Sequence, residues 1–326
     1  MAVILALSAC GTKSQEDVRK ALDSKISDVK SYKAEAEMTL KVGNEPQSYH
    51  IEIWYQKPEK YRVLLKNADK KQSQMILRNK EGVYVLTPAL NKSYRFQSDW
   101  PHNSSQAYLY GSLIKDILED KEAKFTATKE HYEFETKTRY QNSNMLPMQK
   151  ITFSKKKLAP KKVVVMDTDR KEIMTVKFSK FTFDPDFDKD AFEMKKNMTG
   201  AQLAVPVNVD KDQNDFTIMY PTVEIEGTSL IEKDEQDTGN GMRVVLSYGG
   251  EKSFTLIQEK ATIVPASITE TEMTGDLADL GFTVGAITDH SLSWTNDGVE
   301  YMLASNDLSK EEMIEIARSV YGTDTK

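Results

Sequence analysis

Short strand-like runs, each closed by a turn signal, follow one another along most of this chain and limit its fold more than any other feature. The pattern is plainest where Tyr49, Ile51, Ile53 and Tyr55 alternate with His50, Glu52 and Trp54. Extended backbone points successive side chains to opposite faces, so this stretch predicts a strand with one apolar face. Comparable strands are expected at 32–42, 61–65, 75–78, 83–87 and 93–96, divided by Gly43-Asn44, Lys57-Pro58-Glu59-Lys60, Glu81-Gly82 and Pro88-Ala89. More are expected at 124–128, 131–138, 149–154, 160–167 and 173–184. Short strands at such regular spacing predict an antiparallel meander.

Helical spacing interrupts the pattern only locally. Val18, Leu22, Ile26 and Val29 predict a helix over 14–30, with Ser14 and Asp17 as a capping pair, which should cover one face of the sheet. A second short helix is expected over 106–118, and the segment 181–194 should close the domain. Residues 198–205 read as a linker. Beyond it, strands are expected at 216–220, 222–225, 243–248, 254–259, 286–295 and 298–304, the last two joined by an Asn296-Asp297-Gly298 hairpin turn. A closing helix should start at Ser309, with Glu312 completing a capping box and Met313, Ile316, Ala317 and Val320 on one side.

The length of 326 residues fits two domains, each large enough for its own core, expected at 11–197 and 206–326. The expected class is mainly β with helices (α+β), with a smaller α+β domain at the carboxy-terminal end. No stretch approaches the roughly 20 apolar residues that span a bilayer. The formal net charge of -6 hides an asymmetry, because Lys and Arg outnumber the acids before residue 200 and acids predominate after it. A basic half suits an anionic membrane or wall polymer, and an acidic half is repelled by both. Attraction between the two halves, or plain solubility, explains the asymmetry equally well. No basic segment is interleaved with a nucleic-acid motif, so no nucleic-acid partner is expected.

One cysteine, Cys10, excludes an internal disulfide. It follows an apolar start at Leu7-Ser8-Ala9 and precedes a small, polar stretch. These four residues resemble the lipobox of bacterial lipoproteins, which implies that 1–10 is a signal segment and that Cys10 carries lipid. Two or three acyl chains anchor stably where one does not, so the resemblance places the protein on the outer face of the cytoplasmic membrane. A buried cysteine in a short apolar strand is the plainer alternative.

The run 14–195 resembles the periplasmic lipoprotein carriers and their relatives (LolA, LolB and similar). Its carrying residues are Ile53-Trp54-Tyr55-Gln56-Lys57-Pro58-Glu59-Lys60-Tyr61-Arg62-Val63, then 79–88, then Met145-Leu146-Pro147-Met148. With the lipobox, the chain looks like the sporulation-associated lipoproteins that include the germination lipoprotein GerS. The resemblance implies an unclosed β-barrel, or strongly curved sheet, embracing helices. It also implies an envelope partner such as a cortex-modifying amidase. Residues 291–320 resemble a small carboxy-terminal module of Gram-positive envelope proteins.

Tyr49, Ile51, Ile53, Tyr55, Val63, Leu65 and Leu77 are the candidate lining of a cavity for acyl lipid, as in the carriers, or else ordinary core against the two helices. Arg62, matching the family's Lys-Pro-x-x-x-Arg stretch, would gate that cavity or cap a strand edge. His50, His102, His131 and His290 share no ligand spacing, and no hydrolase, nucleotide or thiol motif occurs. No enzyme activity, metal or cofactor is therefore expected. Asp184, Asp186, Asp188 and Asp190 depart from the calcium-loop pattern and read as a solvated turn. Lys155-Lys156-Lys157 with Lys161-Lys162 reads as a charged sheet edge, or as a contact for anionic lipid or polymer. A binding and scaffolding lipoprotein is the first functional expectation, and a lipid or lipoprotein carrier the second.

Overall fold

The computed structural model of the chain describes residues 13–41, 46–68, 73–141, 143–204, 216–238, 241–262 and 269–320. Helix α1 (Gln15–Asp28) begins as expected: the Ser14 hydroxyl accepts from the Asp17 N–H, and the Asp17 carboxylate accepts from the Ser14 N–H. Val18 and Leu22 give it a buried face, and Val29, in extended conformation, turns the chain into the sheet.

The meander is real and large. Strands β1 (Ser31–Leu40), β2 (Gln47–Gln56), β3 (Lys60–Asn67), β4 (Ser73–Asn79), β5 (Gly82–Thr87) and β6 (Lys92–Phe96) pair antiparallel in succession. After α2 (Tyr110–Glu119) come β7 (Lys124–Ala127), β8 (His131–Lys137), β9 (Met148–Ser154), β10 (Pro160–Met166) and β11 (Glu172–Phe183). β11 returns to pair with β1, so the two meanders fuse into one curved, unclosed sheet around α1 and α2. A bulge at Ser179 of β11, opposite Glu35 and Ala36, lets a long strand pair bend.

Of the expected linker at 198–205, residues 198–204 are instead the end of a helix, α3 (Met194–Ala204), and 205 lies outside the described residues. Glu193 O accepts the Asn197 N–H, and the Asn197 amide donates to Ala191 O and Glu193 O, so side-chain bonding starts the helix where composition reads as loop.

The second half builds its own sheet from β12 (Thr228–Asp237), β13 (Met242–Gly250), β14 (Phe254–Lys260), β16 (Asp276–Asp279), β17 (Val284–Ile287), β18 (Ser291–Asn296) and β19 (Val299–Ala304). Their order is β12-β13-β14-β19-β18-β17-β16. Helix α4 (Lys310–Ser319) starts with the expected Ser309–Glu312 box. The single strand expected at 286–295 is a hairpin, because the Thr288 hydroxyl accepts from the His290 and Ser291 N–H groups and turns the chain between β17 and β18. No strand forms at 216–220 or 222–225. The backbone N–H and C=O of Met219 pair with the buried Gln258 side chain rather than with a neighbouring strand.

The two halves are joined by a strand. β15 (Thr269–Met273) leaves the second half and adds to β6 of the first sheet, in parallel, as its twelfth strand. Gln74 reinforces the join: its carbonyl oxygen accepts from Val284 N–H and the Thr283 hydroxyl. Gly281, at φ +84°, sits so close to Leu40 that a Cβ would lie 3.2 Å from it. Only glycine combines that backbone conformation with so near an approach.

Candidate functional site

Residues on the inner face of the first sheet meet the two helices. Tyr49, Ile51, Ile53, Tyr55, Val63 and Leu65 are all between 0% and 7% exposed, and they share one cluster with Leu22 of α1 and Leu113 and Ile117 of α2. Aromatic rings fill the middle: Tyr32 stacks on Phe181 at 5.2 Å and lies edge-on to Tyr110 at 6.0 Å, while Tyr110 also meets Phe153 and Phe183. These six side chains therefore pack as core.

Two of the candidate residues are elsewhere. Leu77 points to the outer face, where it packs with Leu64, Met75, Tyr84, Leu86, Phe192 and Met198 beneath α3. The register explains this, since Val63 pairs with Ile76 and the outward Arg62 pairs with Leu77. Arg62 gates nothing on the inner face. Its guanidinium lies 4.3 Å above the Trp54 ring, donates through Nε to Asn197 Oδ1 at 2.7 Å and stands 3.6 Å from Glu52. Burial pulls this guanidinium down from its ordinary value and Glu52 opposes the pull. Lys33 and Phe187 take further positions against Trp54, and with Asp186, Lys196 and Gly200 they bound a cleft of about 420 Å³.

A second cleft, of about 410 Å³, lies between the halves. Val85, Tyr94, Phe96 and Met273 line it from the first sheet, and Ile257, Trp294, Tyr301 and Met302 from the second. Trp294 and Tyr301 stack across β18 and β19 with ring centres 5.0 Å apart. Charge is paired at its rim: Lys92 Nζ lies 2.6 Å from Glu300, Tyr94 donates to the same carboxylate at 3.2 Å, and Arg243 grips Glu259 at 2.8 and 3.0 Å. Burial and the Glu300 charge raise the Tyr94 hydroxyl well above its usual range. The surface is apolar with a few fixed polar groups, which suits a side chain or extended segment of a partner. Sequence reasoning missed it because its walls are some 200 residues apart in the chain, and β15 carries no strand signal.

Other candidate residues have structural partners. Asp184 accepts from the Lys30 and Ser31 N–H groups, and Asp188 and Asp190 pair with Lys196, so this acidic run fastens the end of β11 to the start of β1 and the following turn to α3. His50 contacts Glu37 and His102 contacts Glu59. Among the described residues, no group of three or more His, Cys, Asp or Glu side chains could hold a metal ion. The lysines at 155–157 do not guard a sheet edge: they turn between β9 and β10, and the edges are β7 and β15. Asp116, fully buried in its side chain, accepts from Ser105, Arg139 and Gln149 and holds α2 against β9 and the 105 loop. Burial raises its carboxyl, against the pull of Arg139. An aspartate inside an apolar helical face was the available signal for this cluster. Cys10 and its lipobox lie outside the described residues. No described helix is long and apolar enough to cross a membrane.

Together these features define a class: a mainly β protein whose curved, unclosed sheet encloses two helices and accepts a strand from a second, smaller sheet. The chain belongs to the sporulation protein YdcC-like family, whose sequence profile matches residues 1–192. It is 53% identical over 323 residues to the sporulation protein YdcC of Bacillus subtilis (strain 168), covering 99% of this chain and 95% of that protein. Among solved structures, the MucA/MucB complex of Pseudomonas aeruginosa aligns at 11% identity over 93% of this chain and 97% of the matched chain, with a TM-score of 0.35. The complex of the CwlD amidase with the GerS lipoprotein from Clostridioides difficile aligns at 19% over 55% of this chain and 98% of the matched chain, with a TM-score of 0.23.

Proposed function

We propose that this protein is a membrane-tethered binding protein of the sporulating cell envelope. Lipid on Cys10 holds it at the outer face of the cytoplasmic membrane, it engages another envelope protein such as a cortex-modifying one, and it catalyses no reaction itself. Family membership supports the link to sporulation. The observation that carries the choice of binding over carrying is the filling of the inner face. An acyl chain entering there would have to displace Tyr32, Tyr110, Phe153 and Phe181 from close packing with the two helices. Each buried side chain of that size contributes about 1.5–3 kcal/mol, which an incoming tail would have to offset before any net binding. The cleft between the halves, by contrast, is open at the surface and offers both apolar and charged contacts.

The anchor is tested in sporulating cells fed an alkyne-bearing fatty acid. Wild type takes up the label and sediments with membranes, whereas Cys10→Ser does neither. An unlabelled, soluble wild-type protein would refute the tether.

A further inference from the structure

β12 is built unlike any other strand of the molecule. It runs for ten residues, Thr228–Asp237, and nine of the ten are exposed. Among the described residues it pairs with β13 alone and ends the second sheet, so its outer edge presents backbone N–H and C=O groups that no described strand pairs. Four of its residues, Glu232, Asp234, Glu235 and Asp237, are acids against one lysine, Lys233. Such residues are poor strand formers, and a strand exposed on both faces buries little to compensate. Leu230 and Ile231, 42% and 71% exposed, stand side by side on it and are two of the four exposed large hydrophobic residues among those described.

Unpaired edges invite strand addition, and proteins usually blunt them by shortness, lysines or bulges. Here the length is kept, and the bulge that places Ile231 between Leu230 and Glu232 turns an extra apolar side chain outward. The charges select the occupant. Antiparallel pairing with a second copy of β12 sets acids against acids, or against Leu230 and Ile231, and cross-strand like charges repel. A basic membrane-facing role is equally disfavoured, because an anionic surface repels this strand. A strand alternating cations with apolar residues meets Glu232 and Asp234, which share one face of β12, with opposite charge and covers Leu230 and Ile231; Glu235, on the other face, is paired with Lys233. We infer that the free edge of β12 is the seat of a basic, extended segment of a partner protein, which adds to the second sheet as an eighth strand. The inference rests on the proposed binding function and names where and by what chemistry the partner is held.

The test uses the full chain and a decapeptide alternating lysine and valine. Its controls are the glutamate–valine counterpart and the lysine–valine peptide carrying a central proline. Binding is followed by fluorescence anisotropy at low salt, and its location by amide hydrogen exchange. The basic peptide is expected to bind and to slow exchange within 228–237, and both controls to fail. The triple variant Glu232→Lys/Asp234→Lys/Glu235→Lys is expected to weaken binding at least about tenfold, equivalent to roughly 1.4 kcal/mol, while Leu230→Thr/Ile231→Thr weakens it less. Unchanged melting temperatures establish that both variants are folded. No binding at low salt, equal binding of the proline peptide, protection elsewhere, or unchanged affinity in the triple variant would each overturn the assignment. Partner recovery from cells expressing the triple variant separates this inference from the broader one. A partner still held by that variant leaves the proposed function standing and removes β12 as its seat.

Discussion

Ile51 and Ile231 are the same side chain in opposite circumstances, and the molecule's energetics follow from the difference. Ile51 is fully buried among the strands and helices of the first sheet, whereas Ile231 is 71% exposed on an edge. Ile51→Ala should destabilise the protein by about 2–5 kcal/mol through lost burial and a residual cavity, and Ile231→Ser should change stability by no more than about 0.5 kcal/mol. Urea titrations measure both. Glu52 adds a pH dependence. Burial raises its carboxyl, but the Lys66 hydrogen bond and the Lys66 and Arg62 charges outweigh that and hold it below the usual glutamate range. A depressed folded value stabilises above the unfolded value of about 4.3 and loses that contribution as pH falls through the folded one. Glu52→Gln should therefore lower the urea midpoint at pH 7, by an amount worth about 0.5–1 kcal/mol, and the difference from wild type should shrink as pH falls through the folded value. At this scale the sequence announces which residues are buried better than which way they face. Met75, Ile76 and Leu77 form a continuous buried run, so alternation cannot choose a face, and only the pairing of Val63 with Ile76 does so.

Elements with a local signature were legible. Both capping boxes, the β2 alternation and the Asn296-Asp297-Gly298 turn specify themselves through hydrogen bonds and backbone preferences within a few residues. Ser309→Ala should cost about 0.5–2 kcal/mol by leaving the Glu312 N–H without its acceptor, read as a lower melting temperature. Elements made by distant partners were not legible. β12 and β15 are rich in Glu, Asp and Thr and hold extended form because β13 and β6 offer ladders. α3, which replaces the expected linker, helps cover Leu77 and Tyr84, and its amphipathic signal is too weak to announce it.

For the whole molecule, the joining strand matters most. Removing residues 205–326 would strip β15 from β6 and expose Tyr94 and Phe96 along an unguarded edge. Such a truncated chain should self-associate, and light scattering after size exclusion should give it a larger apparent mass than one protomer. The candidate cleft was illegible in the sequence for the same reason, since it exists only where β15 and Gln74 bring the halves together. The class of fold, the wrapped helices and the extent of the first sheet were legible from strand spacing and family resemblance. The proposed function is that of a tethered protein that holds a protein and not a lipid. A native mass spectrum of the full-length protein, extracted in mild detergent from its own sporulating host, tests it most directly. Covalent lipid at Cys10, a bound protein partner and no free acyl lipid in the fold are expected. A chain unmodified at Cys10, or one carrying acyl lipid and no partner, would contradict it.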